Sequence, residues 1–288
     1  MIRLVQTAPS ILEAIHEDEV GLQFGIIGSR RLKTVYQVVY DRSVDRLMPA
    51  MLRAGMDITG VTPQLGANRG VQTTGEGVVD RLGSLLALCN YRNADIRELL
   101  LYLDLPFAAY SRPGEMEADL RLLSCRTDDF EIDPEQVICE LPSHLTEFEA
   151  LDAMVRQLRR RGVKVALAHV GPDDPLSVWT ERLRPDYLRV SGDWFARLSG
   201  HRASRQLLAS LVRAVQSSGT KLLFEGLDSQ RLLALAVEAG ADCLQGDALQ
   251  PAGLVGTLID PAERPLPTAS DLTNVVPMNG LLHAGRMR

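Results

Sequence analysis

Apolar residues along this chain gather in short runs that stop abruptly at a polar residue or a glycine, and from residue 99 onward the runs alternate with segments of helical period. Runs at 99–105, 136–141, 163–168, 186–191, 221–225 and 241–245 predict strands, and the intervening 115–124, 146–160, 174–183, 203–217 and 229–238 predict helices. Strands separated by helices of this length pair in parallel through right-handed crossovers. Upstream, 22–27 and 32–40 predict two strands joined by a tight turn, and 78–89 predicts a helix. The run 47–55 contains Pro49, which marks an edge, a bulge or a strand end. Added together, the strands reach the number that closes an α/β barrel of the TIM-like (βα)8 kind.

The ends of the chain lack this regularity. Residues 1–20 predict a helical lead-in, because Ser10 and Glu13 have the spacing of a capping box. Residues 60–77, rich in Gly, Thr, Gln and Asn, predict a long surface loop. After Asp260 prolines recur without an apolar period, so the tail is extended against the barrel or disordered. The expected organisation is an extension over 1–29, a barrel over 30–258 and a Pro-rich tail over 259–288.

Composition narrows the function class. A net charge of -6 gives no field that would draw nucleic acid or an anionic membrane, and the basic stretch 156–162 closes a predicted helix, where cations answer the helix dipole. No apolar run approaches the ~18 residues of a membrane span, and the N-terminus has no leader pattern, so a cytoplasmic protein is expected. Cys89, Cys125, Cys139 and Cys243 share no metal-ligand spacing and predict buried, reduced thiols.

The strand ends carry the chemistry of such a barrel. They offer Arg53, Asp104, Glu140, His169, Arg189, Glu225 with Asp228, and Gln245. Acids on separate strands in one register could gather hard oxygen ligands for magnesium or manganese, and two such ions can drive phosphodiester hydrolysis. Each acid alone could equally cap the helix that follows it. His169 could select a softer metal, or be an ordinary surface histidine.

These segments, in this order, resemble the EAL domain, the barrel family of cyclic di-GMP phosphodiesterases. YQVVYD (36–41) is similar to the family's opening Y-Q-P-I-V-D, and LMPAMLR (47–53) to its E-A-L-L-R. VICELPS (137–143), VALAHVG (165–171), YLRVSGDWF (187–195), LLFEGLD (222–228) and CLQGDALQP (243–251) match the later motifs. The resemblance also shows departures. Pro49 stands at the family's metal-binding Glu, Ala168 and His169 at its paired aspartates, and Arg189 at its lysine. Ser143 and Ser191 replace two further acids.

The resemblance, read with these departures, implies a domain that is not an enzyme. Losing metal ligands and a base would each cost several kcal/mol, and each ~1.4 kcal/mol is about tenfold in rate. The first expectation is therefore a non-enzymatic regulator in bacterial cyclic di-GMP-linked signalling that works through contact with an unidentified protein. The alternative is a cyclic di-GMP receptor without hydrolysis, with Arg53 and Arg189 on phosphates and Gln37 on a base. The third is a residual metal-dependent phosphodiesterase. The vestigial ligand site comprises Gln37, Arg53, Asp104, Glu140, Arg189, Glu225, Asp228 and Gln245. No cofactor is expected; Glu140, Glu225 and Asp104 are the acids that could hold a single magnesium ion. Glu225 serves a ligand or a salt bridge to Arg189 or Arg53. The resemblance also implies a homodimer.

Overall fold

The computed structural model describes residues 8–58, 64–65, 76–91, 98–104, 132–142, 148–170, 178–257, 259 and 261–267. In chain order, helix α1 (Ala8–Glu13) leads into strands β1 (Ile15–Glu17), β2 (Gln23–Ile27), β3 (Arg30–Arg42), β4 (Arg46–Ile58) and β5 (Gln64–Leu65). Helix α2 (Glu76–Tyr91) follows, then β6 (Leu100–Asp104), β7 (Val137–Pro142), α3 (Phe148–Arg160) and β8 (Lys164–Val170). After a short π-helical turn at Trp179–Leu183 come β9 (Tyr187–Val190), α4 (Gly192–Ser199), α5 (Arg202–Gln216), β10 (Lys221–Phe224), α6 (Gln230–Ala239) and β11 (Cys243–Leu244). Two short strands, β12 (Gly253–Leu254) and β13 (Arg264–Pro265), complete the described chain.

Eight strands close the barrel: β3, β4, β6, β7, β8, β9, β10 and β11. From β4 round to β11 they pair in parallel, but β3 is antiparallel to both β4 and β11. The reason is local. Only residues 43–45 separate β3 from β4, with Ser43 N–H donating to Arg46 O at 2.9 Å, and a crossover to a parallel strand needs about a dozen residues.

The β3–β4 ribbon is longer than the barrel, and short segments cover its outer edges. β2, β12 and β11 pair in turn along one side, and β13, β6 and β5 along the other. Pro49 sits opposite Tyr40 beside a register shift at Val39/Tyr40, so of the three readings of that proline the bulge is the observed one.

Three apolar layers hold these elements. Inside the barrel, each of the eight strands contributes one buried residue to a single cluster: Val39, Met51, Tyr102, Ile138, Ala166, Tyr187, Leu223 and Cys243. Between barrel and helices lies the main core, in which Phe195 meets Phe224 edge to face at 5.0 Å between centroids. A third cluster joins α1, α2 and the protruding ribbon through Ile11, Leu32, Met56, Ile58, Leu82, Leu85 and Leu86. Cys89, Cys139 and Cys243 are buried and outside any disulfide, with Cys243 Sγ donating to Asp41 Oδ1 at 3.0 Å; Cys125 lies outside the described residues.

The predicted lead-in helix over 1–20 is corrected. Among the described residues of that stretch Ala8–Glu13 is helical, and the next residues pair as β1 because Ile15, in register with Gly25, turns toward the cluster under α2. Ser10 lies inside that helix and not at its N-cap. Helix α4 has no counterpart among the expected elements, although Ser191, whose Oγ accepts from Trp194 N–H at 3.5 Å, is an ordinary N-cap. The expected helix at 115–124, most of the 60–77 loop and the tail beyond residue 267 lie outside the described residues.

Candidate functional site

Period-two alternation sends Arg53 of β4, Asp104 of β6, Glu140 of β7 and Arg189 of β9 toward the rim where the parallel strands end. Glu225 and Gln245 are the first residues beyond β10 and β11. The turns that carry them are laced together. Leu227 N–H donates to Gln245 O at 3.1 Å and Ala248 N–H to Leu227 O at 3.0 Å. Gly246 lies so close to the Leu227 backbone that a Cβ there would collide with it, and Gly226 has φ 66°. Both motifs noted at the sequence level as FEGLD and LQGD therefore need their glycines to set the two side chains.

At the rim the side chains form a compact network of opposite charges. Arg53, 1% exposed, reaches Glu225 Oε2 through Nη1 at 2.8 Å and the Asp104 carboxylate through Nη2 at 3.2 and 3.3 Å. Arg189 donates through Nε to Glu140 Oε2 at 2.5 Å and through Nη2 to Oε1 at 2.6 Å, a bidentate fork. Its Nη1 also pairs with Glu225 Oε1. Glu225 thus bridges both arginines. The Tyr102 hydroxyl donates to Glu140 Oε2 at 2.5 Å, and the Arg53 guanidinium sits 5.4 Å from the Tyr102 ring centroid.

Burial pushes the Glu140 carboxyl up, but Arg189 and Arg53 outweigh it and hold the group at about 2. Glu225 is lowered in the same way: burial raises it, and the two arginines reverse that. Burial and then the Glu140 charge drive the Tyr102 phenol well above its ordinary value, so it stays a donor. Glu140 and Glu225 are thus held in the charged form, facing the two guanidinium groups of Arg53 and Arg189.

Seven of the eight predicted site residues are connected here. Gln37 donates to Gln250 O at 2.8 Å and to Asp247 Oδ1 at 3.1 Å, and accepts from Gln245 Nε2 at 2.8 Å. Gln37 is therefore engaged by the segment after β11 and by Gln245. Asp228 is the exception: it is exposed, with its N–H donating to Gly226 O, and takes no part. Tyr102 and Asp247 were missed. Tyr102 could have been found, since it stands two residues before Asp104 and so shares its face of β6.

The residues standing at family motif positions fall differently. Pro49 lies four residues before Arg53, about 13 Å back along the strand at ~3.3 Å per residue. Ala168 is buried in β8, and nothing is described of the His169 side chain. For a divalent cation the fit is poor. Both oxygens of Glu140 accept from Arg189, and among the described residues no group of three or more His, Cys, Asp or Glu is placed to hold a metal.

A family model described as "EAL domain" matches residues 75–252, more than half of the chain. The chain belongs to the EAL domain family. A curated relative, a probable cyclic di-GMP phosphodiesterase, PdeD of Escherichia coli, is 24% identical over 112 residues, 39% of this chain and 21% of the relative. The EAL-family chain thus matches only about a fifth of that relative's length. Among solved structures, Klebsiella pneumoniae BlrP1 in complex with calcium and cyclic di-GMP has a TM-score of 0.64 at 19% identity, covering 78% of this chain and 57% of that one. The EAL domain of Mycobacterium smegmatis DcpA scores 0.61 at 18% identity, covering 78% and 94%. Bacillus subtilis YkuI with cyclic di-GMP and calcium scores 0.62 at 18%, covering 80% and 56%. At these identities the likeness carries the barrel fold.

These findings correct the expectation that the domain is not an enzyme. The family is shown, and the curated relative it matches is named for cyclic di-GMP phosphodiesterase activity. The substitutions at Pro49, Ala168, His169 and Arg189 do not by themselves rule out catalysis. Pro49 is remote from Arg53 along its strand, and the His169 side chain is not described. Among the described residues no helix is long and apolar enough to cross a membrane.

Proposed function

We propose that this EAL-family domain is a regulator in cyclic di-GMP-linked signalling that works through contact with another protein. The observation that carries this reading is the pairing of Arg53 and Arg189 with Asp104, Glu140 and Glu225. The charges at the rim are answered from within the domain, so the cluster behaves as a keystone joining β4, β6, β7, β9 and the β10 turn. Affinity capture from the native cell, with the intact chain as bait, tests this reading. A single protein recovered in stoichiometric amount is the expected result; a bait that recovers nothing above the tag control while binding cyclic di-GMP tightly overturns it.

A second reading, cyclic di-GMP binding at the rim, is favoured by the exposure that Glu225 and Asp104 keep, 21% and 12% of their side chains, in front of the buried arginines. A phosphate entering there would have to displace Glu225 from Arg53 or Arg189. Calorimetric titration with cyclic di-GMP, with and without magnesium, decides this reading, and no heat at tens of micromolar protein sinks it. Turnover is measured on the same samples and is compatible with either reading.

A further inference from the structure

The sheet does not stop at the barrel. It runs from β3 onto β2 and ends at β1. Ile26 N–H donates to Ala14 O and Asp18 N–H to Leu22 O, both at 2.9 Å. In an antiparallel ladder alternate residues exchange these bonds, so His16 faces Phe24 in a bonded pair while the N–H and C=O of Ile15 and Glu17 point away from β2. Among the described residues nothing pairs with that outer edge.

Sheet edges are usually kept short or blunted by charged side chains, a proline, a bulge or a covering segment. β1, Ile-His-Glu, is short and carries Glu17, but it has no lysine, proline or bulge within it and, among the described residues, no covering segment. Its surroundings are apolar and acidic. Leu12, Val20 and Ile26 are exposed at 36%, 76% and 41%, and Glu13, Glu17 and Glu19 are exposed acids. Asp18 is occupied by its own turn, where Oδ1 accepts from Val20 and Leu22 N–H, and one oxygen of Glu17 accepts from Gln23 Nε2 at 2.6 Å. Among the described residues Arg30, Arg31 and Lys33 lie on β3, two strands inward, with the Arg31 guanidinium over the Phe24 ring that stacks on His16.

From this edge we infer that β1 is the docking strand for an extended, basic segment of another protein, which adds to the sheet beside Ile15 and Glu17. Main-chain bonds to those two residues supply the affinity, apolar side chains pack on Ile15 and Leu12, and cations face Glu13, Glu17 and Glu19. A second copy of this edge would bring like charges together, which disfavours self-pairing. The inference rests on the protein-contact reading above and assigns the surface and partner chemistry to it.

The probes are three labelled eight-residue peptides: alternating Lys and Val, alternating Glu and Val, and the Lys-Val peptide with a central proline. Fluorescence anisotropy with the full chain gives affinities, and hydrogen exchange reads the Ile15 and Glu17 amides. The Lys-Val peptide is expected to bind at least about tenfold tighter than either control and to protect both amides. Glu17→Lys, a surface change that leaves the fold intact, and Glu17→Pro, which removes an outward N–H not used by β2, should each weaken binding about fivefold or more. No binding, binding insensitive to both variants, or binding without protection of the two amides overturns the inference. The capture experiment separates the two levels. A partner held equally by wild type and Glu17→Lys leaves the protein-contact reading standing and removes this surface from it, whereas a bait without partner removes the reading itself.

Discussion

Arg189 and Glu140 meet in a two-pronged ion pair on neighbouring regions of the barrel rim, both buried, with Glu225 bridging from Arg189 to Arg53. A guanidinium held this way lies where two carboxylates would otherwise repel one another. The pair is an electrostatic support for the rim, and its removal from one side leaves an uncompensated charge inside the protein.

Replacing Arg189 by Ala should therefore destabilise the domain by about 3–5 kcal/mol, and Glu140→Ala by a similar amount. The double variant should cost clearly less than the sum, because it removes both charges together. Urea unfolding of the four proteins checks this, and strict additivity would show that the two side chains act independently.

Acid should loosen the same pair. The Glu140 carboxyl is lowered from 4.5 to about 2, so its contribution is fully present above about pH 4.5 and is lost as the pH falls toward 2. Glu225 is shifted in the same direction. Thermal midpoints measured from pH 7 downward should hold to about pH 5 and then fall, and the Glu140→Gln variant should show a shallower fall.

Much of this was legible in the sequence, and the misses have physical causes. The strands from 99 to 245 were readable because each is a short apolar run bounded by helical period, and Glu225 with Gln245 stood out because each closes such a run beside a glycine. A salt bridge of Glu225 to Arg189 or Arg53 is one of the two alternatives the sequence leaves open, and in the structure Glu225 pairs with both. What could not be read was the geometry across the barrel. Gln37 and Gln250 are 213 residues apart, and no local pattern tells that the Gln37 amide donates to the Gln250 carbonyl. β1 escaped notice because a three-residue strand is too short to show alternation, and the adjoining Ser10 and Glu13 imitate a helix start. Asp228 stands apart from the network because its spacing from Glu225 follows the motif while its turn leaves it exposed.

Tyr102, absent from the expected set, should matter through one bond. Tyr102→Phe removes the hydroxyl that donates to buried Glu140 while keeping the ring in the interior cluster. A loss of about 1–3 kcal/mol is expected from chemical unfolding, as for a buried charged acceptor left short of a donor. An unchanged stability would mean that Arg189 alone satisfies the carboxylate.

Gly246→Ala should disturb the rim without touching any charge. A Cβ at 246 would press on the Leu227 backbone, which is itself bonded to Gln245 O, so the β10 and β11 turns would have to separate. A destabilisation of about 1–3 kcal/mol or more is expected, with Leu227 and Ala248 amides losing protection in hydrogen exchange. Unaltered protection would show that the two turns do not depend on this contact.

The central claim is that the domain acts by holding another protein, with its rim arginines paired to acids of the same domain. Quantitative affinity capture from the native cell, using the intact chain as bait and paired with a cyclic di-GMP titration of the same preparation, tests it most directly. One protein recovered at a ratio near one to one with the bait is the predicted result. Recovery of nothing beyond the tag control, together with saturable binding of cyclic di-GMP, would contradict it.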